Sequence, residues 1–140
     1  MCSRILLAND GSLDARGALQ PALALAHGLN ANLAMLVVMT LPHSPLLKAE
    51  VDDAVQVAET RFSHIASIAQ GRADAAHVPF YAEMALGNFI ERTLAFIEEH
   101  RPDLLVVGQS GDSAFFEALF GNVAERLAWR APCSVHLVKS

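Results

Sequence analysis

Short unbroken apolar runs alternate along the chain with longer stretches of helical period. Arg4–Asn9 (RILLAN) is such a run, ended by Asp10-Gly11-Ser12, and reads as a buried strand followed by a turn. Ser12 can cap the next helix, with Asp14 in the first turn, where the helix dipole favours negative charge. Ala15, Ala18, Leu19, Ala22 and Ala26 form its small apolar face, and Gly28 and Asn30 end it. Pro21 falls inside this stretch, so the helix either starts late or bends there. Asn32–Met39 (NLAMLVVM) is a second buried strand. Ser44-Pro45 then supplies an N-cap with proline at the first helical position. Val51, Val55, Ala58, Phe62, Ile65 and Ala69 follow at steps of three and four, a long amphipathic helix that Gly71 is expected to stop.

His77–Glu83 (HVPFYAE) is a weaker strand, which Pro79 pushes to a sheet edge because proline cannot donate to a ladder. Gly87-Asn88 opens a helix with Ile90, Leu94 and Ile97 inward, closed by Arg101-Pro102-Asp103. Leu104–Val107 is wholly apolar, as a central strand is. After Gly108–Asn122 a helix runs to about Arg130, Ala131-Pro132-Cys133 breaks it, and Ser134–Val138 is a last strand. Strands alternating with helices predict one α/β domain over residues 1–140, with an open five-stranded parallel sheet, helices on both faces and right-handed crossovers. Ligands of such sheets bind beyond the carboxyl ends of the strands, where the strand order reverses.

Composition narrows the chemistry. Apolar residues make up 53% of the chain and the formal net charge is −5. With no basic run and no basic face interleaved with aromatics, nucleic acid is not an expected partner. The N-terminal apolar run is too short for export or membrane insertion, so a cytoplasmic protein with no membrane partner is expected. Cys2 and Cys133 have neither metal nor redox spacing and read as reduced thiols. The six histidines form no metal-ligand pattern, and no nucleophile–base pair is visible; Ser110 and Ser113 have no assignable base.

The segment with chemical content is Gly108–Asn122 (GQSGDSAFFEALFGN). Gly108 directly follows an apolar strand, and Gly111 and Gly121 come later. Glycines let backbone N–H groups turn outward and a ligand approach without a Cβ in the way. Asn122, with Glu125 three residues on, resembles a capping arrangement, and the free N–H groups of a helix start favour an anion such as phosphate. Spacing alone fits a set of turn and cap glycines equally well. Phe115, Phe116 and Phe120 fit a turn that plugs the core, or else a lid or dimer contact.

Several of these stretches together resemble one family. Ile5–Ser12 is similar to the first strand and Asp-Gly-Ser turn of universal stress proteins. Asp103–Gly108 resembles their Asp-Leu-Ile-Val-Val-Gly run, and Ala131–Val135 their Ala-Pro-Cys-Pro-Val ending. Gly108, Gly111 and Gly121 are in register with the Gly-x2-Gly-x9-Gly-(Ser/Thr) signature of the nucleotide-binding branch. The resemblance covers essentially the whole chain. It implies strand order 3-2-1-4-5, a homodimer joined through the C-terminal strands, and ATP or AMP as ligand, with Mg2+ where charge must be bridged. It further implies Asp10 beside the adenosine, backbone contacts from Val38 to adenine, Gly108 and Gly111 at the ribose and phosphates, and Gly121 and Asn122 at the phosphate tail.

Two departures bear on the phosphate end. Asn122 stands where the family has Ser or Thr; its amide can donate to phosphate but can also be taken up by capping. The segment also holds Asp112 and Glu117 and no Lys or Arg, so a triphosphate needs a divalent cation, or Arg126 reaching back. ATP hydrolysis, if any, is expected to be slow, since no general base is visible. Two other readings stay open: a family member that binds no nucleotide and works through dimer or protein-partner contacts, and an ATP-using enzyme on a related scaffold. The lack of a Ser-Gly-Gly-type loop near Asp10 argues against the enzyme.

Overall fold

A computed structural model of the chain describes residues 2–11, 17–40, 47–109 and 125–139. Its elements run β1 (Arg4–Asn9), α1 (Leu19–Leu29), β2 (Asn32–Met39), α2 (Lys48–Ala75), β3 (Phe80–Leu86), α3 (Phe89–His100), β4 (Leu104–Gln109) and β5 (Ser134–Lys139), with residues 125–130 helical before β5. The five strands form one sheet in the order β3-β2-β1-β4-β5, and every pairing is parallel. The expected α/β architecture and strand order are both present.

The apolar runs are continuous because both sheet faces are covered. Side chains alternate between faces. Ile5, Leu7, Leu33, Met35, Val37 and Val106 pack with α1 and α2 through Leu19, Leu23, Ile65, Ala69 and Ala73. Leu6, Leu36, Val38, Leu105 and Val107 pack on the other face with Ile90, Phe96, Ile97 and Leu127. A fully buried Leu or Ile of this kind stabilises the fold by roughly 1.5–3 kcal/mol.

Helix ends are where the structure departs from expectation. α1 starts at Leu19, so Pro21 lies in its first turn, where a missing N–H costs nothing. With the N-cap of α1 at Ala18, neither the expected Ser12 cap nor Asp14 in the first turn belongs to this helix; Ser12, Asp14 and Ala15 themselves lie outside the described residues. Asn30, at φ +54°, ends α1 as expected, in the left-handed conformation that Asn tolerates. α2 begins at Lys48 rather than at Pro45, because Leu47 is extended, with ψ 154°. At its other end, Gly71 does not stop α2. The buried stripe continues through Ala69 and Ala73 past the glycine, and packing outweighs the ~1 kcal/mol that Gly costs relative to Ala in a helix interior. The stop comes at Ala76-His77, with His77 at φ +57° and the Val78 N–H donating back to the Ala73 carbonyl at 3.0 Å. The third strand is therefore delayed to Phe80, beyond Pro79, but it does lie at the sheet edge. Asn88 caps α3, its Oδ1 accepting from the Glu91 N–H at 3.0 Å.

The amino end of the sheet is tied by one carboxylate. Asp103 Oδ2 accepts from the N–H groups of Ser3 at 2.9 Å and Arg4 at 3.0 Å, and its own N–H donates to the Arg4 carbonyl at 2.9 Å. Those two backbone donors hold the Asp103 carboxyl below the ordinary carboxylate range. Arg4 Nη1 closes the corner on the His100 carbonyl at the end of α3, at 2.9 Å.

Candidate functional site

The carboxyl ends of β1, β2 and β4 meet where the strand order reverses, since β1 lies between β2 and β4 while the chain runs β1-β2-β3 to one side and β4-β5 to the other. Asn9 is aligned with Val37, and Ala8 with Val107. Asp10, Val38 and Gly108 are each the next residue in their strands, so the structure brings these three expected site residues to one edge. Gly111, Gly121 and Asn122 lie outside the described residues, as do Asp112, Glu117 and the three phenylalanines. Arg126 is described and is exposed.

Local chemistry shapes this edge. Asn9, 1% exposed, turns its Oδ1 onto the Gly11 N–H at 2.6 Å, and its Nδ2 lies 3.9 Å from the Met35 sulfur. This Asx turn ends the strand and presents Asp10 at its tip. Gly11 sits at φ +96°, a conformation that L side chains rarely adopt. Its carbonyl accepts from Arg61 Nε on α2 at 2.8 Å, a link across 50 positions of sequence. Val38 is buried against α3, which leaves only its backbone for contact with a ligand. Next to it, the Met39 carbonyl accepts from the Gly87 N–H at 3.0 Å, with Gly87 at φ +136°. Gly108 pairs with Val138 of β5.

The sequence reading passed over Asn9 and Arg61. Asn9 carried a usable signal, a polar residue closing an apolar run just before Asp-Gly. Arg61 carried none, being one of many polar residues on the outer side of α2.

A cleft of about 650 Å³ runs beside α2, lined by Asp53, Gln56, Val57, Thr60, Arg61 and His64. All six lining residues belong to α2, and the cleft is open rather than enclosed. A smaller cleft of about 270 Å³ opens at the amino end, between Arg4, Asn32, Tyr81 and His100. It is remote from Asp10, Val38 and Gly108. Burial, then Glu83, pushes the Tyr81 phenol up. Burial likewise pushes up the Cys133 thiol, and no disulfide joins Cys133 to Cys2. Among the described residues no group of three His, Cys, Asp or Glu side chains could hold a metal ion. None of the described helices is long and apolar enough to cross a membrane.

Comparison with known proteins agrees with the fold. The sequence model of the universal stress protein family matches residues 1–139. A universal stress protein of Methanothermobacter thermautotrophicus is 34% identical over 64 residues, which span 46% of this chain and 43% of that protein, less than half of its length. A crystal structure of a universal stress protein in complex with cAMP is 25% identical, with TM-score 0.73, covering 97% of this chain and 96% of the other. A universal stress protein family structure from Burkholderia pseudomallei is 26% identical, with TM-score 0.77 and coverages of 99% and 96%. A family protein from Arabidopsis thaliana with AMP bound shares the fold, with TM-score 0.67 at 17% identity, over 98% and 91% of the two chains.

Proposed function

Because the chain belongs to the universal stress protein family, we propose that it is an adenine-nucleotide-binding stress-response or regulatory module. Its ligand, AMP or ATP, sits at the carboxyl ends of β1, β2 and β4. Asp10 meets the adenosine, the Val38 backbone meets adenine, Gly108 and Gly111 approach ribose and phosphate, and Gly121 and Asn122 hold the phosphate tail. The observation that carries this reading is the meeting of Asp10, Val38 and Gly108 at the point of strand-order reversal. The cAMP and AMP carried by structurally similar proteins support it. An ATP ligand brings Mg2+ with it, because Gly108–Asn122 holds two carboxylates and no Lys or Arg.

The chain acts as a homodimer joined along β5 and passes its nucleotide state to a protein partner. Among the described residues β5 ends the sheet with only β4 beside it, and Leu137 on it is 37% exposed. Such an edge is a template for pairing with a second strand.

Mass spectrometry of small molecules released from freshly purified protein tests the nucleotide reading, together with thermal shifts on adding AMP or Mg-ATP. A retained adenine nucleotide or a clear shift is expected, and Gly121→Val abolishes either. No retained nucleotide and no shift with either ligand sinks the reading, and favours a family member that works through dimer or partner contacts alone.

A further inference from the structure

The glycine segment poses a charge problem. A nucleotide phosphate brings negative charge to a stretch that already holds Asp112 and Glu117 and no cation. For AMP, which brings no divalent cation with it, the compensating charge is sought on another element.

α2 is long enough to supply it. Its 28 residues span about 42 Å at 1.5 Å each, whereas the eight residues of β2 span about 26 Å. The chain leaves the parallel sheet at its carboxyl end and must return to its amino end, so α2 starts beyond the carboxyl edge. Burial along the inward stripe follows this geometry: Ala58, Ile65, Ala69 and Ala73 are covered, Val51 and Val55 are only partly so, and Leu47 is 73% exposed. Arg61 lies fourteen residues before the helix end at Ala75, about 21 Å along the axis, and so is level with the carboxyl edge. The 2.8 Å bond from its Nε to the Gly11 carbonyl fixes it there, one residue from Asp10.

That bond uses one of the five guanidinium N–H groups and leaves four on the two Nη atoms. Among the described residues no carboxylate pairs with Arg61. The guanidinium borders the 650 Å³ cleft with Asp53, Gln56, Val57, Thr60 and His64, all on one helix face, and Asp53 lies eight residues, about 12 Å along the axis, from Arg61. A planar fork held by Nε, with its Nη donors available, suits two phosphate oxygens.

We infer that Arg61 is the phosphate-binding cation of the site, supplied by α2 in place of the basic residue that the Gly108–Asn122 segment lacks. The inference rests on the nucleotide reading above and adds to it an anion-binding residue from outside the glycine segment. Arg92 gives an internal control: its Nε bonds the Leu86 carbonyl at 3.0 Å in the same manner, but at the edge strand, two strands from β1.

The test is calorimetric titration of AMP and of adenosine into wild type, Arg61→Gln, Arg61→Lys and Arg92→Gln, with circular dichroism to confirm folding. Wild type is expected to bind AMP more tightly than adenosine. Arg61→Gln lowers AMP affinity by about tenfold or more, the scale of a charge-assisted hydrogen bond, and leaves adenosine affinity unchanged. Arg61→Lys, with charge but no fork, falls between, and Arg92→Gln matches wild type. Unchanged AMP affinity in Arg61→Gln overturns the inference and leaves the nucleotide reading standing. So does an equal loss for AMP and adenosine, which marks Arg61 as a prop for the Gly11 turn, or an equal loss in Arg92→Gln. Wild type that binds neither compound overturns the nucleotide reading itself.

Discussion

The two ends of the sheet are held in different ways. At the amino end, one carboxylate gathers the N–H groups of Ser3 and Arg4, and Arg4 reaches the end of α3, so backbone groups are satisfied by neighbours at close range. At the carboxyl end the described contacts are of another kind: an Asx turn at Asn9, a left-handed Gly11, and the Arg61 and Arg92 side chains reaching backbone carbonyls from α2 and α3. A tied end resists change, and an end of turns and glycines leaves backbone exposed for a ligand. The same parallel strands serve both purposes, because their direction sends every crossover loop after a strand to the carboxyl side.

Three substitutions probe this contrast. The largest effect is expected from Leu105→Ala, which empties a fully buried position in β4 that supports both ends. It lowers stability by about 2–5 kcal/mol, read as a fall in the urea midpoint with an unchanged slope. A loss below 1 kcal/mol means that the two ends do not share one core. Gly11→Ala comes next. Nothing lies within 4 Å of the added methyl, so the cost is the strain of φ +96° alone, about 1–3 kcal/mol. Nucleotide affinity should fall with it, whereas the same loss of stability imposed by a core substitution leaves affinity intact.

The smallest effect is expected from Asp103→Asn, and it appears only in the pH dependence. The folded carboxyl titrates below its unfolded value of about 4. Its contribution is therefore present above that pH and is lost as pH falls through the lowered folded value. Asn at this position flattens the acid limb of the stability curve, with nucleotide affinity at neutral pH unchanged. An acid limb identical to wild type shows that the clamp is not formed in solution.

Much of the fold was legible because parallel strands buried on both faces are simply apolar runs. β1 and β2 were read with the bounds the structure has. The strand order came from family resemblance, since periodicity carries no information on neighbours. Gly71 misled because a local propensity of about 1 kcal/mol was set against tertiary burial of Ala69 and Ala73, which wins. Asp10, Val38 and Gly108 could be named through the family resemblance, and the apolar runs placed them at or near strand ends, where such sheets bind. Arg61 could not, since its significance is a contact with a carbonyl 50 positions away.

The central position of β1 has a consequence for how the chain is made. Of the sheet's strands it leaves the ribosome first, and β2 and β3 can join it on one side soon afterwards. Its other side waits for β4, and the Asp103 clamp on Ser3 closes only after a further 100 residues of synthesis. At about 5–20 residues per second, that side stays unpaired for several seconds or more. During that interval the strand that ends in Asn9-Asp10 is the most exposed template for misassembly, and the last pairing to form on it also completes the edge proposed to hold the nucleotide.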